Sequence, residues 1–144
     1  MPPVILPVHE STKVIVEEIP GGTETLLVVE DEETLMTFLQ IGIAAKGYTV
    51  LSAIDGPEAV KTYRERHKEI SMVFTDLGLP GMTGMEEINI IKRINPDVKI
   101  IVATGFLDPE LKSELLKAGV KKFIFKPYNF EEILILLRDV LDEK

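Results

Sequence analysis

From Thr25 onward the chain alternates short apolar, β-rich runs with amphipathic stretches at helical spacing, and this alternation most limits the folds open to it. Repeated strand–helix units build a parallel sheet covered by helices on both faces. Five units fit. Strands are predicted at 25–29, 48–54, 70–75, 98–103 and 121–125, the first a continuous apolar run of the kind buried on both sides. The first helix is predicted to place Leu35, Phe38, Leu39 and Gly42 on one stripe and to stop at Gly47, a natural left-handed terminator. Asp55-Gly56-Pro57-Glu58 opens the second helix, with Ala59, Val60 and Tyr63 inward. The third carries Ile88, Ile91 and Ile94 inward and ends at Asn95-Pro96. Asp108-Pro109-Glu110 starts the fourth. Asn129 and Glu132 form a capping box for the fifth, whose inner face is Phe130, Ile133, Leu134 and Leu137.

In a parallel sheet all strands end at one edge, and that edge is where ligands bind. Glu30 and Asp31 close the first strand, Asp76 the third, Thr104 the fourth and Lys126 the fifth. Between Asp76 and Gly84 runs a loop too rich in glycine and proline to be helical. Three carboxylates on one rim disfavour joint ionisation unless a cation neutralises them. A hard, oxygen-loving ion such as Mg2+ answers that need and leaves positions free for phosphate oxygens. Lys126, the Thr104 hydroxyl and the loop amides would add positive charge and hydrogen-bond donors around a phosphoryl group, and Asp76 offers a carboxylate nucleophile.

Taken together, Val28-Val29-Glu30-Asp31-Glu32, Phe74-Thr75-Asp76-Leu77-Gly78-Leu79-Pro80-Gly81-Met82-Thr83-Gly84, Ala103-Thr104-Gly105 and Phe125-Lys126-Pro127 resemble the receiver domain of bacterial response regulators. The resemblance covers Glu24 to about Glu143. It implies a flavodoxin-like, doubly wound α/β fold with five parallel strands in the order 2-1-3-4-5, and a signalling domain that catalyses its own phosphotransfer and slow autodephosphorylation. Under it Asp76 is the phosphoacceptor, Asp31 touches Mg2+ directly, Glu30 acts mainly through water, and Gly78 offers its carbonyl to the metal. Thr104 is the switch hydroxyl, Lys126 binds the phosphoryl group, and Phe123 holds the aromatic position that turns inward on activation. The Lys126-Pro127 bond is expected to be cis. The implied partners are a sensor histidine kinase or a histidine phosphotransfer domain, and a second copy through the face of helix four, strand five and helix five. Glu30 departs mildly from the pattern, since many members have aspartate there.

The remaining readings narrow the function. A net charge of -8 argues against nucleic-acid binding, and the absence of cysteine excludes thiolate chemistry. No apolar run reaches the roughly eighteen residues a membrane span needs, so no membrane contact and a cytoplasmic location are expected. Residues 1–23 read as a tail or linker and 24–144 as the receiver; the tail up to Gly22, with four prolines and no period, is expected to bury little and to add little stability. Val4-Ile5-Leu6-Pro7, an acidic linker and Gly21-Gly22-Thr23-Glu24-Thr25 resemble the junction between the ATP-binding domain and the receiver of a hybrid histidine kinase. His9-Glu10 is not read as a phosphorylated histidine, because Pro7 precedes it and no apolar helical run surrounds it. A dehalogenase-type phosphatase would need a second aspartate where Gly78 stands, and a flavodoxin-type phosphate cradle would be repelled by Glu30 and Asp31.

Overall fold

A computed structural model describes residues 19–78 and 81–143. Strands β1 (Thr25–Val29), β2 (Thr49–Ala53), β3 (Ile70–Asp76), β4 (Lys99–Thr104) and β5 (Lys122–Phe125) alternate with helices α1 (Glu33–Ala45), α2 (Gly56–Arg66), α3 (Gly84–Ile94), α4 (Pro109–Lys117) and α5 (Phe130–Asp142). All strand pairs are parallel, in the order β2-β1-β3-β4-β5. The sheet is the one expected, with strand limits differing by a residue.

Alternation along β1 divides the core. Leu26 and Val28 point to the side covered by α1 and α5, where they meet Leu39, Ile43, Ile133 and Leu137. Leu27 and Val29 point to the other side and meet Tyr63, Ile88, Ile91 and Leu115 from α2, α3 and α4. Both faces of the strand are therefore apolar and the run is continuous.

The helix starts follow local side-chain chemistry. Asp55 accepts from the Glu58 amide at 2.8 Å, Asp108 from Leu111 at 2.8 Å, and Asn129 with Glu132 closes a capping box, as does Thr83 with Glu86. Gly47, with φ +102°, ends α1 by the left-handed route.

Two expectations are corrected. The buried stripe of α1 is Met36, Leu39 and Ile43. Leu35 is half-buried, and Phe38 stands half exposed against Phe130, ring centroids 5.3 Å apart and edge to face. Gly42 faces that same Phe130 ring so closely that a Cβ would overlap it. The second correction concerns the segment before β1: Ile19 is buried in the α1/α5 core, and the Gly22 amide donates to the Lys46 carbonyl at 3.1 Å. Residues 19–22 thus have something to bury, because two glycines let the backbone lie flat on the end of α1. The rest of the tail, 1–18, and the hybrid-kinase pattern and His9 within it, lie outside the described residues.

Close approach of α1 to α5 at Gly42 makes a direct prediction. Gly42→Val should destabilise the domain by about 2 kcal/mol through overpacking against Phe130. Urea denaturation checks it; unchanged stability would mean that the two helices are free to move apart.

Candidate functional site

The ladder places the rim residues before any of their side chains act. Beyond the last paired residues, Glu30 donates its amide to Ala53 at 3.0 Å, Leu77 to Ala103 at 3.1 Å and Lys126 to Thr104 at 2.9 Å. These bonds fix the strand ends at one level. Glu30, at 3% exposure, and Asp76, at 8%, are buried there, while Asp31 is exposed. One carboxylate oxygen from each of the three lies within 4.8 Å of the others.

Lys126 reaches across β4 to this group. Its ammonium donates to Asp76 Oδ2 and lies 3.7 Å from Glu30 Oε1. Burial alone would lower its pKa, but the hydrogen bond to Asp76 and the charges of Asp76, Glu30 and Asp31 outweigh it and raise the value. Burial, joined by the charge of Asp76, pushes the Glu30 carboxyl up, against the pull of the Glu32 amide bonded to it at 2.9 Å and of Lys126. One ammonium faces three carboxylates, so the rim carries an excess of negative charge made of hard oxygen donors. That is the chemistry of a divalent-cation site, and Mg2+ fits it.

The other expected residues are placed as follows. Gly78 is exposed at φ +85°, a left-handed conformation that favours glycine, immediately after the short Asp76–Leu77 step. Thr104 is buried at the end of β4, with its hydroxyl donating to the Phe106 carbonyl at 2.8 Å and accepting from the Phe106 amide at 3.3 Å. The hydroxyl is thus held by the loop after β4, and no bond joins it to Asp76 among the described residues. Phe123 is half-buried and packs on the α2–α4 side of the core. The Lys126-Pro127 peptide is cis.

Sequence reasoning passed over two groups beneath the rim. Glu87 on α3 is buried at 1% and accepts from the Thr75 hydroxyl at 3.1 Å, while its Oε2 has no partner. Its spacing from Gly84, Ile88 and Ile91 was the available signal, since it falls on the same inner stripe. Tyr128 follows the cis proline and packs edge to face on Phe74, with its hydroxyl buried and unpartnered. Burial raises its pKa, and the charges of Glu30 and Asp76 add to that.

Fold and rim together define a doubly wound α/β domain with three carboxylates and an ammonium gathered at its strand ends. The profile of the response regulator receiver domain matches residues 26–138, and the chain belongs to that family. Relatives include the chemotaxis protein CheY of Thermotoga maritima, 34% identical over 116 residues, or 80% of this chain and 95% of that one. A cyclic di-GMP phosphodiesterase of the same organism is 32% identical over 117 residues, 81% of this chain and 31% of the relative. This chain spans under a third of the length of several curated relatives it matches. Among solved structures, the CheX-CheY-BeF3-Mg+2 complex of Borrelia burgdorferi superposes with a TM-score of 0.75 at 26% identity, covering 83% of this chain and 90% of that one.

Burial of Glu87 gives a pH prediction. Desolvation, reinforced by the charge of Asp76 and opposed by the Thr75 hydrogen bond, raises its pKa from 4.5 to about 7. Between those values the folded protein holds a proton that the unfolded chain has released, so this group's contribution to stability is full below pH 4.5 and is lost as pH rises through 7. Glu87→Gln, which resembles the protonated acid, should match the wild type at pH 4 and exceed it by on the order of 3 kcal/mol at pH 8.5. Urea titrations of both proteins across that range check it; a constant difference would mean that Glu87 does not titrate there.

Proposed function

We propose that the domain takes a phosphoryl group on Asp76 from the phosphohistidine of a sensor histidine kinase or histidine phosphotransfer domain, in a Mg2+-dependent reaction, and changes conformation as the signal. The observation that carries this reading is the Lys126 ammonium bonded to Asp76 beside Glu30 and Asp31, with a carboxylate oxygen of each within 4.8 Å. Family membership and the beryllofluoride–magnesium complex of a relative support it.

Asp76 supplies a carboxylate oxygen that forms the bond to phosphorus as the bond to the donor imidazole nitrogen breaks, its electron pair remaining on that nitrogen. Asp31, Asp76 and the Gly78 carbonyl would hold Mg2+, with Glu30 acting through water. Bound there, the ion would neutralise charge on the phosphoryl oxygens. Lys126 leaves its contact with the carboxylate to meet a phosphoryl oxygen, keeping the charge it carries throughout. Thr104 exchanges the Phe106 carbonyl for a phosphoryl oxygen, and the space it vacates lets Phe123 turn inward. Differential contacts of this kind are what a two-state switch requires. The face of α4, β5 and α5 then changes shape, and a second copy of the chain is the proposed partner there.

No helix among the described residues is long and apolar enough to cross a membrane. A cytoplasmic location and an origin in a hybrid histidine kinase complete the proposal, resting on the donor chemistry and on the pattern at 4–25.

Incubation with acetyl phosphate and Mg2+ should add a phosphoryl mass to the wild type and none to Asp76→Asn, which is nearly isosteric and keeps its fold. Asp31→Asn should slow labelling and weaken Mg2+ binding; Lys126→Ala should slow labelling and leave Mg2+ binding largely intact. Excess EDTA should prevent labelling. Labelled Asp76→Asn protein would overturn the site, and labelling in EDTA would remove the metal. Backbone NMR with beryllofluoride checks the switch: shifts should reach Phe123 and α4, and shifts confined to the rim would contradict it.

A further inference from the structure

At the end of the sheet opposite Asp76, Gly21 and Gly22, shortly before β1, lie in a slot against the end of α1 where a Cβ at Gly21 has no room. A Cβ on Gly21 would overlap the Lys46 carbonyl oxygen, and one on Gly22 would overlap Glu24 and the Arg138 guanidinium. From the other wall, a Cβ on Gly47 would overlap the Gly22 carbonyl oxygen. Ile19 anchors the outer end of the stretch in the α1/α5 core.

Arg138 on α5 closes the slot. Its guanidinium donates to the Gly21 carbonyl at 3.1 Å, to both Glu24 oxygens at 3.2 and 2.7 Å, to Tyr48 Oη at 3.4 Å and to Asp142 at 2.8 Å. The forked geometry suits arginine and no other side chain, and it joins residues 114 positions apart. Asp142 ties the same guanidinium to the last turn of α5, where the carbonyls of Leu141 and of the capping residue Glu143 accept from Lys99 at 2.9 and 2.6 Å. One side chain therefore serves both the segment and the helix end.

We propose that this slot is an intramolecular docking site that clips residues 19–24 onto the C-terminal half of α5, so that displacement of this segment is read by α5. Paired glycines lose much conformational entropy when ordered, which makes the clip a unit able to open without unfolding the sheet. Coupling of this kind is reciprocal: opening the clip loosens the helix end, and disturbing the helix end opens the clip.

Amide exchange of the full chain by NMR tests both directions. The Gly22 amide should be protected in the wild type, and Arg138→Met and Glu24→Gln should each speed its exchange at least tenfold. Gly21→Val and Ile19→Ala, which alter the segment and leave Arg138 and Asp142 in place, should speed exchange in residues 139–142 at least threefold and leave β1 and β3 unchanged. Glu24→Gln and Ile19→Ala are mild enough to keep the fold if Gly21→Val does not. Free exchange of Gly22 in the wild type, or unaltered exchange at 139–142 in the segment variants, overturns the proposal.

Discussion

Two carboxylates, Glu30 and Asp76, are buried side by side at the end of a parallel sheet, and an ion pair across the sheet makes that tolerable. Burying a lone carboxylate is costly, and burying two together more so, unless positive charge meets them. Lys126 supplies one such charge from β5, reaching over β4 to β3. Its reach depends on the ladder at the strand ends, and the ladder depends on the two apolar layers that hold five strands in one register. A single ammonium still leaves the rim short of positive charge, a deficit that a divalent cation would meet.

Helix α5 spans the domain from this rim to the opposite end. It begins three residues after the Lys126-Pro127 peptide, at a capping box built on Asn129, and its thirteen residues carry it past Arg138 to Asp142, about 20 Å in all. Its middle, Ile133, Leu134 and Leu137, is locked in the core. A rigid element held at both ends by polar contacts can report at one end what happens at the other. Beneath the rim, Glu87 and Thr75 tie α3 to the strand carrying Asp76, a buried polar contact where packing alone would have asked for an apolar residue.

Strand order and the five rim residues were legible because buried parallel strands are apolar to their last residue, so a polar residue there stands out. Glu30, Asp76, Thr104 and Lys126 all announced themselves this way. The inner face of α1 was not legible: Leu35, Met36, Phe38, Leu39, Ile41 and Ile43 are apolar nearly all round the helix, so more than one stripe fits, and tertiary packing chose Met36, Leu39 and Ile43. Glu87 was hidden because a carboxylate on a helix ordinarily faces water, and its partner Thr75 lies twelve residues away. The docked segment was hidden more deeply. Gly21-Gly22 reads as a linker, and only the folded chain brings Arg138 to it.

The proposed phosphorylation is one covalent event at one atom of Asp76. Acyl phosphates are reduced by borohydride to the alcohol, so protein treated with acetyl phosphate and Mg2+, then with borohydride, carries a permanent mark wherever an aspartyl phosphate formed. Peptide mass spectrometry should find homoserine at position 76 and at no other aspartate. Homoserine at Asp31 in place of Asp76, or an unaltered peptide at position 76 under conditions that label the protein, would contradict the account.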